Sequence, residues 1–276
     1  MLSDAKIVAL YCFTDDLLKV MGHREDCRIR VSDAEVLTTA FVSHLYFSGH
    51  HDNARRFMQL AGYVPRMLHK STFSRRVHRL SFLLQQLFES IGSQLEAIAG
   101  ATEYVLDSFP VPVCDNIRIA RSRLLRGPQW RGKWSAMRRY FYGVKVQVLT
   151  LSGIPVEFTI TPGAQSDVKA WGKLPLRLAP ESVVYADCAY TSFITEDDAF
   201  ASEAIRLAPE RSATVKTRKD SPWVCYLKEQ KRKGIETTFS QIKARMPRHI
   251  HATTANGFFL KTALFLISYT LDKLTN

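Results

Sequence analysis

Two segments of this chain share one pattern, a short run of apolar or aromatic residues that ends on an aspartate. The first is Glu103-Tyr104-Val105-Leu106-Asp107, and the second is Ser182-Val183-Val184-Tyr185-Ala186-Asp187. Each run has the composition of a buried β-strand, and Pro110 and Pro112 are expected to end sheet pairing after Asp107. Because ligands of open α/β sheets bind beyond the carboxyl ends of the strands, both carboxylates are expected at a binding site.

A third acid, Glu236, lies in a stretch with helical spacing that Pro222 and Pro247 bracket. Lys243 follows it by seven residues, which is two helical turns on the same face. Two interpretations of Lys243 remain open. It either holds a phosphate beside the acids or belongs to a solvated charge pattern.

The order of the predicted elements indicates two domains and an α/β fold. Residues 1–100 have helical periodicity and include the capping box Ser32-Asp33-Ala34-Glu35. From residue 101 the order is strand, hairpin, helix, strand, helix, strand and helix, with a last helix from Asn256 to about Leu274. This order predicts a mixed five-stranded sheet flanked by helices, in which the two aspartate strands are parallel neighbours.

The N-terminal region contains two predicted helices, 52–61 and 71–80, joined by a turn at Tyr63-Val64-Pro65. Phe73 and Val77 would face inward. The outward polar residues of the second helix are Thr72, Ser74, Arg75, Arg76 and Arg79. The pair is either a helix-turn-helix DNA reader that uses Arg75, Arg76 and Arg79, or an ordinary amphipathic hairpin with a solvated basic face.

Positive charge is concentrated in one part of the chain. The formal net charge is +12, and residues 109–145 hold nine Lys or Arg against a single acid, Asp115. An even spread of charge would indicate only solubility, whereas a cluster predicts a polyanionic partner, most simply nucleic acid.

Several other classes are not supported by the sequence. The five cysteines are scattered without a Cys-x-x-Cys pair, which argues against a disulfide framework or a zinc ribbon. The apolar run Phe258–Leu271 is interrupted by Lys261 and is too short for a bilayer, and no signal peptide is evident. Neither a phosphate-binding loop nor a Gly-x-Ser-x-Gly motif occurs. We therefore expect a cytoplasmic protein with no membrane partner.

Three carboxylates that meet in a poorly solvated site repel one another unless a divalent cation reverses the electrostatics. Oxygen ligands suit Mg²⁺ or Mn²⁺. Two such ions roughly 3.5–4 Å apart can serve phosphodiester cleavage and strand transfer. The expected arrangement has Asp107 bridging both ions, Asp187 on one ion and Glu236 on the other.

The segments Asp107–Cys114, Tyr185–Tyr190 and Ile235–Lys243 resemble the DDE transposases of bacterial insertion sequences, and most closely the insertion sequence 982 type. This resemblance implies a ribonuclease-H-like catalytic domain at residues 101–276 with a basic insertion at 108–139. It also implies Mg²⁺-dependent cleavage at element ends and joining to target DNA. The implied partners are double-stranded DNA, as terminal inverted repeats and target, and a second copy of the chain. The implied location is the bacterial nucleoid.

On that resemblance the basic insertion is interpreted as an arm that contacts DNA phosphates, which position the protein without specifying sequence. Its contacting residues would be Arg118, Arg121, Arg123, Arg126, Arg131, Lys133, Arg138 and Arg139. Trp130 and Trp134 would either stack on an unpaired base or belong to the core. Asp167 is either an accessory acid or a favourable charge in a helix's first turn.

Two other functions remain open from the sequence. A ribonuclease-H-like nuclease or resolvase would cut DNA without joining it. A non-catalytic DNA-binding regulator would use only the N-terminal helices, but a regulator has no need of acids at strand ends.

Overall fold

The computed structural model describes residues 3–100, 102–134, 138–212 and 215–275. The helices are α1 (Asp4–Val20), α2 (Asp33–Tyr46), α3 (His51–Leu60), α4 (Lys70–Arg79), α5 (Ser81–Ala99), α6 (Asp167–Trp171), α7 (Phe193–Glu203), α8 (Pro222–Arg245) and α9 (Ala255–Leu274). The strands are β1 (Glu103–Cys114), β2 (Arg131–Trp134), β3 (Arg139–Leu151), β4 (Ile154–Pro162), β5 (Val183–Ala186) and β6 (Arg206–Pro209).

The chain divides into two compact units that differ from the expected division at residue 100. One unit is helical and combines Met1–Phe88 with Ile242–Asn276, and the other contains the sheet and spans Glu89–Gln241. The last helix, α9, therefore belongs with the N-terminal helices instead of the sheet. The reason is its composition, because α9 is buried on nearly every side from Phe258 to Asp272 and needs enclosure by other helices.

Within the helical unit, α2 and α9 form the centre. The capping box at the start of α2 is confirmed, since Ser32 Oγ accepts from Glu35 N at 3.1 Å and Glu35 Oε2 accepts from Ser32 N at 2.7 Å. At the end of α9, Asp272 is paired with Lys6 at 2.9 Å and with Arg245 at 2.6 Å. The apolar run of α9 is thus the core of a helical bundle, and every helix in the described ranges is too short or too polar to cross a membrane.

The sheet is mixed, as predicted, but has six strands among the described residues. β6, β5 and β1 are parallel, and β1 pairs antiparallel with the long strand β3. On the other side of β3, β4 pairs with Val144–Leu151 and β2 pairs with Arg139–Tyr142. β2 therefore extends the edge position of β4. The sequence did not predict this sixth strand, which lies within the basic insertion. Residues 135–137 of the insertion are outside the described part.

The prediction that Pro110 and Pro112 end sheet pairing is wrong. β1 continues to Cys114 and stays paired with β3, with Pro110 opposite Lys145 and Pro112 opposite Gly143. Pairing with β5 stops at Leu106, so beyond that residue β1 has one open side. Prolines are tolerated where the missing N–H would face such an open edge.

The two faces of the sheet pack against different helices. Tyr104 and Leu106 lie in a core cluster with Trp171 of α6. The alternate residues of β1 face the other way, and Phe109 packs against Phe239 of α8 with ring centroids 4.8 Å apart. Because side chains alternate along a strand, Asp107 lies on the same face as Phe109 and is directed toward α8. The predicted helix between the hairpin and β5 is the short α6.

The burial of the Glu157 carboxyl group on β4 can be tested through its effect on the stability of the fold. Burial raises its pKa from 4.5 to about 7, and the carboxylates of Glu96 and Glu89 add to this effect. One oxygen accepts from the Arg177 backbone N–H at 3.2 Å, and the other is buried without a hydrogen-bond partner among the described residues. Since the folded-state pKa lies above the unfolded value, this group's contribution to stability falls as the pH rises from 4.5 through 7.

We therefore expect Glu157→Gln to stabilise the protein at pH 8, by on the order of 1–3 kcal/mol, and to have little effect at pH 4.5. The measurement is urea unfolding at both pH values. Glu181→Gln is the matched control, because Glu181 is exposed and pairs with Arg206 at the surface. An equal change in unfolding free energy at the two pH values would contradict the prediction.

Candidate active site

Three acidic residues follow one another across the parallel strands. The parallel pairing of β1, β5 and β6 ends at a single row of residues, Leu106, Ala186 and Pro209. The next residue along each strand is acidic: Asp107, Asp187 and Glu210. The expectation that Asp107 and Asp187 lie side by side is met by this register. The structure adds Glu210, which the sequence interpretation missed.

A single arginine of α8 joins these acids. The guanidinium of Arg232 lies 3.5 Å from Asp107 Oδ2, 3.6 Å from Asp187 Oδ1 and 2.7 Å from Glu210 Oε2. Its side chain is 14% exposed, so these charges interact with little screening by solvent. Among the three acids, only Glu210 is within normal hydrogen-bond distance of the guanidinium.

The two aspartates have different environments. The side chain of Asp107 is 19% exposed, and burial raises its pKa to about 6, although the Ser108 backbone N–H and Arg232 oppose that rise. Asp187 is more open, at 37% exposure, and its Oδ1 accepts from the Cys188 backbone N–H at 2.6 Å. Asp107, which is poorly solvated, therefore needs a cationic partner to remain ionised.

Glu236 lies one helical turn after Arg232 in α8 and is exposed. Its carboxylate does not join the two aspartates at chelating distance. Among the described residues, the one trio of His, Cys, Asp or Glu with ligand atoms all within 4.8 Å of one another is His23, Glu25 and Asp33, in the helical unit. Lys243 is half-buried, two turns further along α8.

That trio has a structural role. Asp33 is 6% exposed, and its carboxylate contacts Arg76 at 2.7 Å and His23 Nε2 at 3.0 Å. Glu25 accepts from the Asp33 backbone N–H at 2.8 Å. Arg76 already neutralises the aspartate, so these contacts hold α4 against the start of α2.

This arrangement corrects the prediction for Arg76, whose guanidinium is held by Asp33 and does not face solvent. Arg75 and Arg79 are exposed, as predicted. The connection between α3 and α4, residues 61–69, is longer than the roughly three- to four-residue turn of a helix-turn-helix motif. The amphipathic-hairpin interpretation of this region therefore fits the geometry better.

A polar network lies under Asp107, on the opposite face of the sheet. Asp167, the first residue of α6, accepts from Ser108 Oγ at 3.1 Å, Lys145 Nζ at 3.1 Å and Gln147 Nε2 at 3.0 Å. The Tyr190 hydroxyl donates to Gln147 Oε1. Asp167 thus ties α6 to β3 and to the residue next to Asp107, which is a positioning role.

The basic insertion presents its charges to solvent. All eight predicted contact residues are exposed: Arg118, Arg121, Arg123, Arg126, Arg131, Lys133, Arg138 and Arg139. A cavity of about 740 Å³ is lined by Arg121, Arg123, Arg126 and Arg131, with the buried Tyr142 on its wall. The Tyr142 hydroxyl donates to the carbonyl oxygen of Leu125 at 3.1 Å and so anchors this loop to β3.

The tryptophans of the insertion are half-buried. Trp130 Nε1 donates to the Arg126 carbonyl oxygen at 3.1 Å, and Arg139 lies over the Trp134 ring at 5.1 Å. Trp130 therefore holds the backbone at Arg126, and Trp134 contacts the guanidinium of Arg139.

The family model for the transposase DDE domain matches residues 98–253, more than half of the chain. The chain belongs to this family. The match includes both aspartate strands, the basic insertion and all of α8. No curated protein and no solved structure matches the sequence.

Membership establishes a transposase that acts on DNA, with nuclease or transferase chemistry in general. DDE transposases generally use divalent metal ions. The residues of this chain fit such ions, because the acids at the strand ends offer only oxygen ligands and already hold a positive charge, the Arg232 guanidinium, between Asp107 and Asp187.

Glu210 and Arg232 were not identified from the sequence. A signal for Glu210 was present, since the run from Ile205 to Pro209 ends on an acid in the same way as the two aspartate strands. Arg232 gave no such signal, because it is one of several basic residues in α8 and only its inward direction distinguishes it.

The Asp167 network yields a stability prediction. Asp167→Asn leaves Lys145 without its charge partner in a site where the two side chains are 13% and 17% exposed. We expect a loss of about 2–4 kcal/mol in the free energy of unfolding, measured in urea at pH 7. The control is Asp197→Asn, which breaks an exposed pair with Arg218 and should change the free energy of unfolding far less. Similar losses in both variants would show that the network is not a stabilising unit.

Proposed function

We propose that this transposase cleaves phosphodiester bonds at the ends of its element and transfers the ends into target DNA, using Asp107, Asp187 and Glu236. The observation that carries the proposal is the meeting of Asp107 and Asp187 beyond the parallel strands, with a positive charge between them. A structural role alone would not require two adjacent carboxylates, one of them buried.

Asp107 and Asp187 would hold Mg²⁺ or Mn²⁺, two ions in the full site, with Glu236 as the third acid. Residues four apart on a helix have Cβ atoms roughly 5–6 Å apart, so Glu236 lies next to Arg232, the residue of α8 that contacts both aspartates. When bound, the ions would activate the attacking oxygen and stabilise the leaving oxygen. The chain's own contribution is to fix the two aspartates in register through β1 and β5.

The DNA partner would be the terminal inverted repeats of the element and the target duplex. The exposed arginines of the insertion supply a surface for phosphates, and the arginine-lined cavity is large enough for part of a nucleotide. Arg75 and Arg79 are the basic residues of α4 that remain available for such contacts, and Lys243 is proposed as a further phosphate contact. A homodimer that pairs two ends, and relationship to the insertion sequence 982 type, remain predictions.

The first test is the variant Asp187→Asn. We expect it to abolish Mg²⁺-dependent cleavage of element-end DNA while DNA affinity stays within about threefold of the wild type, because the arm and not Asp187 provides most of the phosphate contacts. Cleavage is read on labelled duplexes, and binding is read by fluorescence anisotropy. Full cleavage by Asp187→Asn would refute the assignment.

The same assay separates the alternatives. A nuclease or resolvase would release cut ends without joining them to a target plasmid. A non-catalytic regulator would bind DNA and show no metal-dependent cleavage in the wild type.

The second test concerns the arm. Arg121→Ala combined with Arg126→Ala should weaken binding to all DNA sequences alike, and should reduce the slope of log K against log salt by about 2, near one unit per lost phosphate contact. The matched control is Arg206→Ala with Arg218→Ala, two exposed arginines held in surface ion pairs away from the insertion. An unchanged slope in the arm variant would exclude this surface from the DNA interface.

A further inference from the structure

We propose that Arg232 acts as a built-in counter-cation that occupies the space between Asp107 and Asp187 until a divalent metal ion replaces it. The inference rests on the proposed function, since it concerns how the same site exchanges one positive charge for another. It assigns Arg232 and Glu210 a role in metal loading that neither the family match nor the three acids imply.

Asp107 and Asp187 lie side by side at the ends of neighbouring parallel strands, and the side chain of Asp107 is only 19% exposed. Two neighbouring carboxylates repel each other, and a cation between them removes this repulsion. Arg232 is the guanidinium that reaches both aspartates among the described residues. The cation requirement is thus met by the protein itself.

The three contacts of the Arg232 guanidinium are unequal. The guanidinium is 2.7 Å from Glu210 but 3.5 Å and 3.6 Å from the two aspartates. In addition, Arg232 Nε is buried without a hydrogen-bond partner among the described residues. Arg232 is therefore firmly attached at one acid only, so it can leave the aspartates while keeping its strongest bond.

Glu210 has a fixed position beside the two aspartates. It follows β6 in the same row as the aspartates follow β1 and β5, and its backbone N–H donates to the Ala186 carbonyl oxygen at 2.9 Å. That bond fixes Glu210 one strand away from Asp187. Glu210 is thus placed to hold the guanidinium to one side of the aspartates. Arg232 itself is a positioning residue, because it acts through the two aspartates.

The test is Mn²⁺ binding by the full-length protein without DNA, followed by electron paramagnetic resonance. We expect Arg232→Gln to bind Mn²⁺ about tenfold more tightly than the wild type, because the variant removes a positive charge that competes for the same carboxylates. Arg232→Lys keeps the charge and should stay within about threefold of the wild type. Arg218→Gln, which removes an exposed charge elsewhere, is the control and should not change the affinity.

Thermal melting with and without Mn²⁺ supplies a second readout. Without metal, Arg232→Gln should melt below the wild type, because its carboxylates are left without a cation. With saturating Mn²⁺ the variant should recover, and its melting temperature should rise more than that of the wild type. A merely structural arginine would give a variant that metal does not rescue.

The outcomes are distinguishable from failure of the proposed function. If the wild type binds Mn²⁺, and Asp187→Asn loses this binding, but Arg232→Gln binds no more tightly, only the role of Arg232 is wrong. The same conclusion follows if Arg232→Gln stays unfolded at saturating Mn²⁺. If the wild type itself does not bind Mn²⁺, the metal site and the inference both fail.

Discussion

Repulsion between like charges is the constraint on which the sheet-containing unit depends. The register of three parallel strands brings acidic side chains into one row, and at least one of them, Asp107, is mostly removed from water. Such a row persists only because a cation is present, and here Arg232 of α8 provides it. The packing of Phe239 on Phe109 holds α8 at the distance that this contact needs.

On the opposite face of the sheet, the charge of Asp167 is stabilised in a different way. Asp167 is also largely shielded from solvent, but its partners are a lysine and two polar side chains, and all of them come from neighbouring elements. A charge that is fully satisfied in this way stabilises the fold. A charge that is held loosely by one shared arginine can instead exchange its partner, and this difference separates the structural acid from the candidate ligands.

Much of this arrangement could be predicted from the sequence, and the failures have physical causes. Apolar runs that end on acids predicted β1, β5 and the neighbouring positions of Asp107 and Asp187, because strand composition and register are local properties. The prolines of β1 were misinterpreted, since whether a missing N–H matters depends on which side of the strand is open. The placement of α9 and the inward direction of Arg76 and Arg232 depend on tertiary packing, which local patterns do not encode.

The prolines of β1 also have a consequence for how the molecule behaves in concentrated solution. An open strand edge ordinarily invites a strand of another molecule to add to it, which is a common first step in aggregation. Pro110 and Pro112 lie on the stretch of β1 that β5 leaves uncovered. Without their N–H groups, that stretch is a poor template for a foreign strand, so the prolines protect the molecule against this route to self-association.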